Sequence, residues 1–200
     1  RRVTMKRFLA HYELFRLTMD LPGDIVELGV YRGATLVQWA NFMEARNIGD
    51  RTKRVIGFDN FEGFKKLDPQ DGPENVYYRK FPGGFNSREM EAQLDDMIKI
   101  FDQDRFIPEK PRILMVKGDI EKTMPEFIAA HPGIRISLLH FDADMYSPTK
   151  IGLECLWDKV VPGGVVVFDE YGSEPWAGES IAVDEFFKSR NIDLKLMKFD

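Results

Sequence analysis

The chain has 200 residues, 44% of them hydrophobic, and 28 Lys and Arg against 33 Asp and Glu give a formal net charge of −5. At roughly 150 residues per domain this reads as a single domain over residues 1–200, with enough apolar material for a core, which excludes disorder as the main state. Mixed charge signs exclude a basic stripe for nucleic acid, the lone Cys155 excludes a disulfide framework or a cysteine-rich zinc module, and no apolar run approaches the roughly 20 residues of a membrane span.

Met5, Phe8, Leu9, Tyr12, Phe15 and Met19 recur at helical spacing behind Thr4, a good N-cap, until Leu21-Pro22-Gly23 stops the pattern. This predicts an N-terminal helix over residues 1–20. Asp24-Ile-Val-Glu-Leu-Gly29 reads as a strand ending in a turn, followed by a helix with Leu36, Val37, Ala40 and Met43 on one face. Arg54-Val-Ile-Gly-Phe-Asp59 is a second strand. Residues 60–86 lack periodicity and are rich in Gly, Pro, Asp and aromatics, a composition and length that suit a lid or substrate loop.

Met90, Leu94, Met97, Ile98 and Phe101 mark the next helix, and Arg112-Ile-Leu-Met-Val-Lys117 a third strand. Thr123-x-x-Glu126 has the form of a capping box opening a short helix. Ile136-Ser-Leu-Leu-His-Phe-Asp142 is apolar on both faces except at His140, as a buried parallel strand should be. Ser147-Pro148 pairs an N-cap with proline at the first helical position. Pro162-Gly163-Gly164 turns the chain into a fifth strand, Val165-Val-Val-Phe-Asp169. A helix around Ile181 to Ser189 and a last strand near Leu194 to Phe199 complete the alternation, which is that of an α/β fold.

In an open parallel sheet, ligands bind beyond the carboxyl ends of the strands. Those ends carry Glu27 with Gly29, Asp59, Gly118 with Asp119, Asp142 with Asp144, and Asp169 with Glu170. One acid after a strand is usually a turn former or a helix cap; five in succession point to a site. The turn Glu27-Leu-Gly-Val-Tyr-Arg-Gly33 has glycines where backbone approaches a ligand, yet lacks the G-x-G-x-x-G of dinucleotide binders. Asp59 suits the two hydroxyls of a ribose. Together they describe an adenosine-type cofactor without phosphate that offers a positive group to acidic side chains. Asp142, Asp144, Asp169 and Glu170 converge from two neighbouring strand tips, where four carboxylates repel unless a cation sits among them. An all-oxygen set indicates Mg²⁺, with Mn²⁺ or Ca²⁺ as substitutes.

Glu27-Leu-Gly-Val-Tyr-Arg-Gly33, Phe58-Asp-Asn-Phe-Glu-Gly63, Lys117-Gly-Asp119, Phe141-Asp-Ala-Asp-Met-Tyr146 and Pro162-Gly-Gly-Val-Val-Val-Phe-Asp-Glu-Tyr171 together resemble the macrocin O-methyltransferase family, in order and spacing, from about Leu21 to Phe187. Enzymes of that family use S-adenosylmethionine and Mg²⁺ to methylate sugar hydroxyls of natural products. The resemblance implies a class I Rossmann-like methyltransferase fold, with a mostly parallel seven-stranded sheet, an antiparallel last strand and helices on both faces. It implies that Glu27, Gly29 and Gly33 border the methionine part of the cofactor, that Asp59 takes the ribose, and that Gly118 and Asp119 lie beside the adenine. It also makes Asp142, Asp169 and Glu170 the metal ligands and Asp144 the general base. Glu170 stands where the family usually has a second Asp.

His140 shares a face with Asp142 and reads as a core or supporting histidine, the next candidate for base; His11 and His131 attract no role. Two rivals share the layout: a metal-dependent hydroxylase or hydrolase of the cephalosporin hydroxylase type, and a non-catalytic cofactor-binding protein. The expected partner is a small molecule bearing a sugar hydroxyl, and self-association is left open. The start at Arg1 suggests a trimmed chain, and the cysteine usage a cytoplasmic setting.

Overall fold

The computed structural model describes residues 2–192. Its elements are α1 (Arg2–Thr18), β1 (Asp24–Leu28), α2 (Ala34–Arg46), β2 (Val55–Asp59), α3 (Glu91–Gln103), β3 (Ile113–Lys117), α4 (Ile120–Ala130), β4 (Ile136–Phe141), α5 (Tyr146–Leu156), β5 (Val160–Phe168) and α6 (Ala177–Ser189), with short 3₁₀ turns between some of them. The strands form one sheet in the order β3-β2-β1-β4-β5, and every neighbouring pair is parallel. Connection order reverses between β1 and β4, which opens a crevice above their carboxyl ends.

Burial follows from the alternation of side chains along each strand. Val26, Leu28, Leu139 and Phe141 pack under α4, α5 and α6, whereas Ile25, Val55 and Leu138 pack under α1, α2 and α3. Two cores thus sandwich the sheet. β1 and β4 are buried along their whole lengths, which is why β4 reads as a nearly continuous apolar run, while β1 carries Asp24 and Glu27 as buried acids.

Five strands occur among the described residues, against seven expected, because the chain leaves β5 for α6 and the last strand read near Leu194 to Phe199 lies outside them. β5 begins at Val160, so Pro162-Gly163-Gly164 lies inside the strand rather than before it. A register shift against β4 absorbs these residues, and β5 is the sheet edge among the described residues, where a proline without an N–H is tolerated.

Three expected caps move. α1 begins ahead of Thr4. The α4 cap is Asp119, whose carboxylate accepts from Glu121 N–H, so Thr123 lies inside the helix. α5 starts at Tyr146, so Ser147 lies inside the helix, and the first amide of α5 donates to the distant Asp71 carboxylate at 2.7 Å.

Asp71 belongs to the 60–86 segment, which holds a 3₁₀ turn and an antiparallel bridge between Asn75 and Lys80. Buried Lys80 donates to the carbonyls of Asp71 and Pro175, and Ser87 Oγ donates to Tyr31 O. The segment is thereby fastened over the strand tips.

Candidate active site

A cavity of about 540 Å³ lies over the crevice and is lined from the ends of all five strands: Gly29, Asp59, Asp119, Asp142 with Asp144, and Asp169 with Glu170. Phe64, Tyr78, Phe85 and Trp176 close its far side. Members of both residue groups read from the sequence therefore share one chamber, whereas Glu27, Gly33 and Gly118 are not among the residues that line it.

The β1 turn is set by contact with β4. Gly29 has φ of 88°, and a Cβ there would fall far inside 3.0 Å of the Asp142 carbonyl. Only glycine lets the two tips meet. Gly33, with φ of 81°, is the residue before α2 and faces the end of the Leu94 side chain. Asp59 Oδ2 accepts from the amides of Val30 and Tyr31 at 2.7 and 2.6 Å, and its Oδ1 accepts from Phe61 N–H at 2.6 Å. It therefore shapes the turn as well as facing the cavity. Gly118 donates to Asp59 O, and Asp119 takes an ammonium hydrogen bond from Lys65 at 2.8 Å. Burial alone would raise the Asp119 carboxyl, but Lys65 and the Glu121 amide hold it below its ordinary value.

At the tips of β4 and β5, Asp142 Oδ2 and Asp169 Oδ2 converge on one nitrogen, Arg7 Nη2, at 3.0 and 2.7 Å. Burial works against the Arg7 charge, yet Asp142 and Asp169 raise its pKa overall. Burial and then the Asp169 carboxylate push the Asp142 carboxyl well up. Asp144 has φ of 62°, so the backbone leaves the extended line of β4 there. Burial, followed by Glu170 and Asp169, raises its pKa to about 8. Glu170 is half-buried and also raised, chiefly by burial, and its amide donates to Glu179 Oε1.

Beneath this rim lies a layer of buried polar groups on the α1/α2 side of the sheet. Glu27 and His140 are register partners on β1 and β4, and neither carboxylate oxygen nor either ring nitrogen has a hydrogen-bond partner. Burial raises the Glu27 carboxyl well above its usual range and drops the His140 imidazole to about 3, so the imidazole is neutral at pH 7. Glu27 is buried and is not among the residues that line the cavity. The His11 ring stands 5.4 Å from that of His140.

Sequence reading missed Arg7, His11 and Glu179. Arg7 lies 135 residues from Asp142, and no local pattern links them. Glu179 sits inside α6, fully buried, and burial raises its carboxyl strongly.

Asp142 and Asp169 converge on a single positive centre, and this pair of oxygen donors suits a hard divalent cation. Among the described residues, the sets of three potential ligand atoms within 4.8 Å of one another are His11, His140 and Asp169, and Glu27, His140 and Asp142, so Glu170 is not brought together with the pair in this way. An all-parallel sheet in this order, with a cleft at its switch point and acids at every strand tip, defines the Rossmann-like methyltransferase architecture.

The chain belongs to the macrocin-O-methyltransferase (TylF) family, whose sequence model matches residues 6–200. It is 28% identical over 172 residues to mycinamicin III 3''-O-methyltransferase of Micromonospora griseorubida, covering 84% of this chain and 64% of that protein. Demethyldecarbamoylnovobiocin O-methyltransferase of Streptomyces niveus is 27% identical over 185 residues, covering 90% of this chain and 64% of that one. The calicheamicin methyltransferase CalS11 superposes with a TM-score of 0.90 at 30% identity, over 98% of this chain and 76% of that one. The chain thus spans just under two thirds of the length of these curated relatives.

Proposed function

We propose that this chain is the methyl-transferring domain of an O-methyltransferase that uses S-adenosylmethionine and a divalent cation, Mg²⁺ by preference, to methylate a hydroxyl of a sugar or glycosylated natural product. The carrying observation is the convergence of Asp142 and Asp169 on one cationic centre, in the same cavity as the Gly29 turn and Asp59. The relatives' names, all O-methyltransferases acting on such products, support the acceptor class.

In this reading the Gly29–Gly33 turn and Asp59 hold the nucleoside and methionine parts of the donor, with Gly118 and Asp119 beside the base and Glu27 beneath. Asp142, Asp169 and Glu170 hold the cation, which acidifies and orients an acceptor hydroxyl. Asp144 takes the hydroxyl proton; its pKa of about 8 puts its basic form within reach at neutral to mildly alkaline pH. Phe64, Phe85 and Trp176 shield the chamber from water and offer flat apolar surface to a sugar ring. The 60–86 segment acts as the lid.

Calorimetry with S-adenosylhomocysteine tests the donor site: binding that survives EDTA is expected, and binding of NAD in its place would refute it. Mn²⁺ binding that is lost in Asp142→Asn but kept in Asp144→Asn is the expected division between ligand and base.

One observation favours a second reading. Donor atoms of His11, His140 and Asp169 lie within 4.8 Å of one another, the two-histidine, one-carboxylate set of non-haem iron oxygenases. A product heavier by an oxygen atom, instead of by a methyl group, would establish it.

A further inference from the structure

Arg7 stands where the cation of the proposed function belongs. The same Nη2 atom is within 3.0 Å of one oxygen from each of Asp142 and Asp169. Mg²⁺ binds oxygens at about 2.0–2.1 Å, so an ion ligated by those two oxygens must take the place of that nitrogen and repel the charge behind it.

The position of Arg7 on its helix gives this exchange a structural consequence. Residues 2–9, the first two turns of α1, are all exposed, with Val3 at 78% and Met5 at 60%. Burial of α1 starts at His11 and continues through Leu14, Phe15 and Thr18. Arg7 ties the exposed stretch to the strand tips, while Phe8 rests edge-on against Phe42 with ring centroids 5.1 Å apart. Arg7 also lines the cavity, so its side chain is part of the chamber wall.

We propose that Arg7 and the divalent cation are alternative occupants of the Asp142–Asp169 pair, so that cation binding releases the first two turns of α1 from the strand tips. Arg7 then acts as a resident counter-charge in the metal-free protein, sets the cation affinity by competition, and couples metal occupancy to the wall of the acceptor chamber. This rests on the metal reading above, and the experiment separates the two.

Mn²⁺ serves as the probe, its free ion followed by electron paramagnetic resonance in wild type, Arg7→Gln, Arg16→Gln and Asp142→Asn. Arg16 is on the same helix, paired with Glu13 and away from the tips, so Arg16→Gln controls for the loss of one positive charge. Arg7→Gln should bind Mn²⁺ about tenfold more tightly, as expected when a partly exposed ion pair no longer has to be broken. Arg16→Gln should match wild type. In hydrogen exchange, saturating Mg²⁺ should speed the amides of residues 6–10 in wild type, and in Arg7→Gln they should already be fast without metal.

Equal or weaker Mn²⁺ binding by Arg7→Gln, with binding still lost in Asp142→Asn, overturns the Arg7 assignment and leaves the metal reading standing. Slower exchange in α1 on adding Mg²⁺, or none of the expected acceleration, also overturns it. No Mn²⁺ bound by either wild type or Arg7→Gln overturns both.

Discussion

Replacing Gly29 by alanine tests the meeting of β1 and β4 on which the chamber depends. The new Cβ would intrude on the carbonyl of Asp142, a backbone atom that cannot rotate away, so the two tips must part by about an ångström. The left-handed φ of 88° adds about 1–2 kcal/mol for any residue with a Cβ. Overpacking typically adds about 1–3 kcal/mol, and the terminal hydrogen bond from Asp142 N–H to Leu28 O, 2.8 Å long, is stretched in the process. A total loss of about 2–5 kcal/mol is expected. Gly33→Ala is the comparison, since it has nearly the same φ but meets only the flexible end of Leu94 and should lose about 1–2 kcal/mol. Urea unfolding of the two variants measures the difference, and Mn²⁺ affinity should fall in Gly29→Ala because Asp142 moves. A Gly29→Ala loss no larger than that of Gly33→Ala would refute the reasoning.

Asp144 holds its proton up to about pH 8 in the folded state, against 3.8 for an ordinary aspartate, so the stability it contributes declines as pH rises across that window. Metal-free Asp144→Asn should accordingly unfold at a higher temperature than wild type at pH 8, while kcat falls roughly 10²–10⁴-fold; identical pH profiles of stability would refute the assignment. Glu44 Oε1 accepts from both Arg105 Nε and Arg112 Nε at 2.7 and 2.8 Å, so Glu44→Ala removes the acceptor that two buried guanidinium groups share, while Asp102 and backbone carbonyls still hold them, and should cost about 1–3 kcal/mol in urea unfolding. Asp59→Ala leaves three amides of the turn without their acceptor, and should lower both the unfolding midpoint and S-adenosylhomocysteine affinity; loss of affinity alone would confine Asp59 to ligand binding.

The strand tips were readable because each parallel strand is a short buried run with an abrupt polar end. Asp59, Asp119, Asp142 and Asp169 all sit at such ends and all reach one cavity. The helix starts were less readable, since a cap supplied from a distance leaves no local trace: Asp71 caps α5 from 75 residues away. α1 misled for a related reason. Its apolar spacing is regular, and Phe15 is buried with Tyr12 and Met19 packed against the core, yet Met5, Phe8 and Leu9 are exposed and the buried face runs through His11, Leu14, Phe15 and Thr18. Arg7 lay hidden within that pattern as an ordinary surface residue of an amphipathic helix.

The fastening of the 60–86 segment divides it into parts of unequal replaceability. Asp71 seats α5, and through it the stretch bearing Asp144, while Lys80 ties the segment to the carbonyl before Trp176. Deleting the segment as a whole would therefore unseat the chemistry along with the cover. Between these two anchors, Val76 and Tyr77 project into solvent at 81% and 86% exposure, and Tyr78 reaches the cavity. That tip is held by neither anchor, so its residues can be exchanged without altering the carboxylates beneath, and in the proposed function it is where acceptor preference would diverge.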